Sequence, residues 1–150
     1  MMTGLNLVHV PYKGGAPAVV DLIAGHVQVI FAPVSESIQQ IKAGKLRALA
    51  ATTASRLNVL PEVPTVADFV PGYEASGFAG VGAPRNTSAE IITMLNKELN
   101  AGLADSKVRA RIVELGGTVA GGTPAEFGTI ISEATEKWAR VIKVAGIKAE

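Results

Sequence analysis

A small anion needs several N–H donors aimed at one point, and the stretch His9-Val10-Pro11-Tyr12-Lys13-Gly14-Gly15-Ala16-Pro17 can supply them. An apolar run from Leu5 to Val10 precedes it and reads as a buried strand, while Ala18 to Gly25 reads as a short helix. Pro17 suits the first helical turn, where its missing N–H has no partner to lose, and Gly25 suits the position just past the end. The backbone N–H groups of Gly14, Gly15 and Ala16 then point out of a helix N-terminus that carries about half a positive charge. That is a ready site for a carboxylate or phosphate. A strand, a Gly-Gly turn and a helix also occur together for packing reasons alone, so the turn by itself leaves both readings open.

Other chemistries lack their residues. The chain has no cysteine, which excludes disulfides, thiolate zinc sites and a Cys nucleophile. His9 and His26 each stand at the edge of a predicted strand, with no second His or carboxylate at ligand spacing, so both read as structural rather than metal-binding. There is no Gly-x-Ser-x-Gly elbow, no Walker A sequence and no Gly-x-Gly-x-x-Gly fingerprint. No catalytic residue, metal or cofactor is therefore assigned. Gly121-Gly122-Thr123-Pro124 is a second Gly-rich turn, but its Thr123 hydroxyl already serves the free N–H groups of the helix that follows.

The elements that must hold the first turn follow from the pattern on either side. His26 to Ala32 reads as a second strand, Ser35 to Ala43 as a helix with Ile38 and Ile41 inward, and Leu46 to Ala51 as a third strand. Strands alternating with helices over short connections favour right-handed crossovers and a parallel sheet. In such a sheet the helix opened by Ser35 and Ser37 starts on the same edge as the Gly14-Gly15 turn, where ligands bind; Tyr12 and Phe31 are candidate walls.

Thr52 to Gly72 breaks the rhythm with prolines at 61, 64 and 71 and one helical turn near Val66 to Phe69, and Tyr73 to Ala83 is a Gly-rich extended segment. The last third is helical. Thr87-Ser88-Ala89-Glu90 has capping-box spacing, Asp105 caps a helix that Gly116 ends, and Thr118 to Ala120 is a short strand. Thr123-Pro124-Ala125-Glu126 opens a helix expected to bury Phe127, Ile131, Ala134, Trp138, Val141 and Ile142 and to pair Glu133 with Lys137 and Glu136 with Arg140 outside.

Composition narrows the partners. The 150 residues are enough for one domain or two small lobes, are 48% apolar and carry a net charge of +1 with the signs interleaved. No basic stripe offers itself to nucleic acid or anionic lipid. The longest apolar region, Val19 to Val34, is interrupted by Asp21, His26 and Gln28 and does not read as a membrane span. Met1 to Gly4 shows no signal-peptide pattern, so the chain taken as given is expected in the cytoplasm.

Several blocks in order carry a resemblance: His9 to Ala18, Ile41 to Ala50, Leu60-Pro61-Glu62-Val63-Pro64-Thr65-Val66, Pro71-Gly72-Tyr73-Glu74, Gly80-Val81-Gly82-Ala83-Pro84, and Trp138 to Lys148. The sequence resembles the substrate-binding receptors of tripartite tricarboxylate transporters, also called Bug receptors, over essentially its whole length. The resemblance implies an α/β chain with part of a type II periplasmic-binding-protein fold: a clamshell with a parallel-rich sheet and flanking helices in each lobe, of which this chain is the C-terminal half. It implies that residues 1–72 are the later part of the second lobe, 73–83 the hinge strand, and 84–150 the C-terminal helical part of the first lobe.

Function follows from the same resemblance: a non-catalytic receptor that captures a small carboxylate in the periplasm for the membrane components of the transporter. Tyr12, Lys13, Gly14, Gly15 and Ala16 are then expected to grip the carboxylate, with Ser35 as a second contact. The fragment alone is expected to bind weakly and to self-associate through exposed apolar surface. Two other readings stay open: a cytoplasmic carboxylate-sensing module, and a small α/β enzyme with an anion hole at Gly14-Gly15 and His9, His26 or one of a few carboxylates as its base.

Overall fold

The computed structural model describes residues 2–147. Met1, the first residue of the expected 1–72 segment, and Lys148, the last of the sequence blocks above, lie outside the described residues, as does the end of the expected 84–150 segment. The chain divides into two compact units, one formed by Met2–Gly80 with Arg109–Val119 and the other by Val81–Val108 with the chain from Ala120 on.

The first unit holds the buried residues. Helix α1 (Gly15–Ala24) ends at Gly25, whose left-handed backbone turns the chain out, and it packs against helix α2 (Val34–Lys42). Ile38 of α2 has no exposed surface and meets Leu60 and Val63, with Val34, Ile41, Ala48, Leu57 and Val59 packed around them. Burying an isoleucine side chain stabilises by roughly 1.5–3 kcal/mol, which makes Ile38 the anchor of this unit.

Hydrogen bonds close the unit around that cluster. Thr65 caps a single 3₁₀ turn, Val66–Asp68: its N–H donates to Asp68 Oδ2 (3.1 Å) and its hydroxyl accepts from the Asp68 N–H (3.2 Å). Ala51 and Thr65 form a parallel bridge, with the Ala51 N–H on Pro64 O and the Val66 N–H on Ala51 O, both at 2.8 Å. Gly116, just past the end of helix α4 (Ser106–Glu114), has φ +81° and lies against Val34 and Val59. A side chain there would be strained by the backbone and would collide with Val34.

The second unit is built on helix ends. Ser88 caps helix α3 (Ala89–Ala104) by accepting from the Ile91 N–H, and Asp105 Oδ1 accepts from the N–H groups of Lys107 and Val108 at the start of α4. Helix α5 (Pro124–Ala145) opens with the expected capping box: the Thr123 N–H donates to Glu126 Oε2 (2.7 Å) and the Glu126 N–H to Thr123 Oγ1 (3.2 Å). The Thr123 N–H, and second the Thr123 hydroxyl donating to the same Oε2 (2.9 Å), hold the Glu126 carboxyl below its usual range. Asn100 of α3 clamps Gly122 both ways, donating to its O and accepting from its N–H, each at 2.9 Å; Asn96 donates to the same O.

Several expectations are corrected. The segments Leu5 to Val10, His26 to Ala32, Tyr73 to Ala83 and Thr118 to Ala120 form no ladder among the described residues, and Leu46 to Ala51 contributes only the Ala51 bridge. A helix closes its hydrogen bonds within one segment, whereas a strand needs a neighbour, and the described residues do not provide one. Capping at the third helix falls to Ser88 rather than to a Thr87–Glu90 box. Neither α3 nor α5 has a buried residue, and Ile131, Trp138 and Ile142 remain exposed. Glu133–Lys137 and Glu136–Arg140 are not ion pairs; the Lys137 ammonium lies 5.7 Å from the Trp138 ring centre instead. Solvated charges four residues apart gain too little to fix two long side chains, and the ring offers the ammonium a competing partner.

Candidate functional site

The Gly14-Gly15 turn is a helix N-terminus left open by its own side chains. α1 begins at Gly15 with Gly14 as its cap residue, and no side chain accepts from the first turn. Gly14 has φ +121°, a conformation that L side chains rarely adopt. Pro17 has no N–H, so the free donors of the first turn are those of Gly15 and Ala16.

A carboxylate already lies there. Glu36, in the first turn of α2, places its carboxyl group against Gly15, so close that a Cβ at residue 15 would collide with it. The starts of α1 and α2 therefore meet, through Gly15 and Glu36. α2 also lacks a side-chain cap: Pro33 is its cap residue, and the Ser37 hydroxyl turns back to donate to Pro33 O and Val34 O at 3.4 Å. Ser35 is exposed on the first turn of α2, Lys13 is exposed beside the Gly pair, and Phe31 is exposed rather than packed as a wall.

Tyr12 is fixed by a residue that the sequence patterns did not single out. Its hydroxyl donates to Asp21 Oδ2 (2.7 Å), and Asp21 Oδ1 lies 3.3 Å from His26 Nδ1. One carboxylate in the second turn of α1 thus ties the chain entering the helix to the chain leaving it. The Tyr12 hydrogen bond, with His26 second, holds the Asp21 carboxyl below its usual range, and the bond to Asp21 raises the Tyr12 phenol. His26 does have a carboxylate beside it, which corrects the reading of an isolated histidine. The available signal was Asp21 itself, the lone charge in the apolar stretch Ala18 to Ala24. Among the described residues, no three of His, Asp and Glu are grouped to hold a metal ion.

A concavity of about 150 Å³ elsewhere in the first unit is lined by Thr53, Arg56, Asn58, Val113 and Gly117 and includes none of the turn residues. Its guanidinium is engaged already, with Arg56 donating to Pro61 O (3.3 Å) and lying 3.7 Å from Asp68 Oδ2. The turn at α1 therefore remains the better candidate.

Comparison with known proteins gives a consistent picture. Residues 1–147 match the family described as tripartite tricarboxylate transporter family receptor. BugT of Bordetella pertussis is 34% identical over 149 residues, which are 99% of this chain and 46% of BugT. The structure of Rhodopseudomonas palustris Rpa4515 with adipate superposes with a TM-score of 0.92 and 39% identity, over 97% of this chain and 49% of that one. MatC (Rpa3494) from the same organism, with bound malate, gives a TM-score of 0.82 and 28% identity, over 89% of this chain and 47% of MatC. The chain spans about half the length of each of these proteins. Its fold is accordingly part of a periplasmic-binding-protein fold. No described helix is long and apolar enough to cross a membrane.

Proposed function

Because this chain belongs to the tripartite tricarboxylate transporter family of receptors, we propose that it is the carboxylate-gripping half of a non-catalytic solute receptor. The observation that carries this reading is the open start of α1, with no side-chain cap and a carboxylate of the chain's own Glu36 resting on it. A ligand carboxylate takes the place of Glu36 and accepts from the N–H groups of Gly15 and Ala16, with Gly14 giving the backbone its approach. Tyr12, held by Asp21, forms the neighbouring polar contact, Lys13 adds positive charge, and Ser35 reaches the ligand from α2.

In this reading residues 1–72 belong to the second lobe of a two-lobed receptor, 73–83 to the hinge, and 84–150 to the first lobe. Closure of the lobes on the ligand shifts an open-to-closed equilibrium that membrane components of the transporter read in the periplasm. The ligand class is a small carboxylate, since Rpa4515 was solved with adipate and MatC with malate.

The test is calorimetric and thermal titration of adipate and malate, with this chain alone and with this chain joined to the part of Rpa4515 that it does not span. The chain alone is expected to bind in the millimolar range or below detection. The joined chain is expected to be stabilised by about 2.7 kcal/mol at a ligand concentration near 100 Kd. Gly15→Ala in the joined chain is expected to abolish that stabilisation and Glu36→Gln to keep it. Stabilisation indifferent to Gly15→Ala would remove the turn from the site.

A further inference from the structure

We propose that Glu36 is a built-in competitor for the start of α1: its carboxylate occupies that start while no ligand is bound, and each carboxylate that binds has to displace it. This regulates the site proposed above and rests on that reading for the class of ligand.

Gly15 supplies the first argument. It has no positive φ, unlike Gly14 beside it, so its backbone does not call for glycine. What the missing side chain provides is space, and the Glu36 carboxyl group fills the place that a Cβ would take. Room has been left for a carboxylate, and a carboxylate lies there.

The second argument is what draws Glu36 to this place. Its side chain is exposed and free to extend into water, yet it lies against a neighbouring helix. No cation holds it, since the ion pairs among the described residues join His26 to Asp21, Arg56 to Asp68 and Arg111 to Glu114. The attraction is left to the start of α1, where no side chain caps the first turn and the unpaired N–H groups carry a partial positive charge. The start of α2, on which Glu36 itself stands, has the same sign. Glu36 therefore sits where an incoming anion is also drawn.

Occupation of this kind has a measurable size. Only molecules whose Glu36 has swung away accept a ligand, so the apparent Kd rises by the inverse of their fraction. A charge at an exposed helix start gains little, and the expected rise is about fivefold. Rotation of one exposed side chain is enough to release the site.

The test is an NMR titration of the Gly15 and Ala16 amides in this chain with sodium acetate, against sodium chloride at equal ionic strength. Wild type is compared with Glu36→Gln, which removes the charge, and with Glu36→Asp, which keeps the charge but is one methylene shorter. The acetate midpoint is expected to fall about fivefold in both variants. Before acetate is added, the two wild-type amides are expected to follow a carboxyl titration that Glu36→Gln abolishes. Tyr12, Lys13, Asp21 and His26 at α1 and Lys42 on α2 are all retained in that variant and do not account for the loss.

A midpoint lowered by Glu36→Gln alone assigns the effect to charge at a distance and overturns the proposal. A midpoint unchanged or raised in Glu36→Gln overturns it too, and is what a carboxylate that merely braces α1 against α2 would give. Amides that ignore acetate in all three proteins also overturn it. The receptor reading fails separately: joined chains that ignore adipate and malate, while the acetate midpoint falls in both variants, break that reading and leave the competition intact.

Discussion

Ile38 has no exposed surface, whereas Ile131, on the longest helix of the chain, keeps 44% of its surface in solvent. The two side chains are chemically identical and both lie on amphipathic helices. What separates them is company: α2 has Leu60 and Val63 to pack on, while no residue of α5 is buried. The first unit is held by a small core, and the helices of the second by their ends, through Ser88, Asp105 and the Thr123–Glu126 box. Local hydrogen bonding is thus sufficient to place a helix, and insufficient to say what its apolar face will meet.

That contrast gives predictions in descending size. Ile38→Ala is expected to cost about 3 kcal/mol by urea denaturation, within the range for a large buried aliphatic cut to a methyl, and Ile131→Ala under ~1 kcal/mol. Equal losses would erase the distinction between the units. Next, Thr123→Ala removes one half of a reciprocal cap and is expected to cost about 1 kcal/mol. The loss should appear as faster amide exchange in the first turn of α5 and leave the amides around Ile38 unchanged; spread into the first unit would show that the helix ends do not act locally.

The smallest effect is electrostatic. Asp21→Asn is expected to move the Tyr12 phenol titration down, because the bond to Asp21 raises it. A 295 nm absorbance titration that leaves both tyrosine components in place would contradict the Tyr12–Asp21 contact. The sign in pH follows. The depressed Asp21 carboxyl contributes stability above the ordinary carboxylate value of about 3.9 and loses it as pH falls through its folded value. The raised Tyr12 phenol contributes below about pH 10 and loses that contribution as pH rises through its own folded value. Wild type and Asp21→Asn should therefore differ most near neutrality and converge at both extremes.

The legible parts of the sequence share a property. Gly25 as a helix end, the 3₁₀ turn at Val66, Asp105 as a cap and the box at Thr123 each depend on residues within four positions of one another. The open start of α1 belongs to the same class, although the helix begins at Gly15, ahead of the expected Ala18. What could not be read depends on the far side of an element. The Tyr12–Asp21 bond crosses nine positions, the Asn100 clamp on Gly122 crosses twenty-two, and strand pairing at Leu5–Val10 needs a neighbour that periodicity cannot name. Glu36 at Gly15 is of that second kind: the start of α2 was expected beside the turn, but no pattern says which of its side chains lies on the glycine.

The buried cluster also has a consequence for the order of events during synthesis. Ile38, Leu60 and Val63, the shell from Val34 to Val59, and the Ala51–Thr65 bridge all fall between Val34 and Thr65. Closing loops of this size takes on the order of a microsecond or less, while a ribosome adds about 5–20 residues each second. Elongation is therefore the slow clock. All residues of the cluster are thus free to meet once Thr65 has cleared the exit tunnel, whereas Gly116, which lies against Val34 and Val59, arrives later.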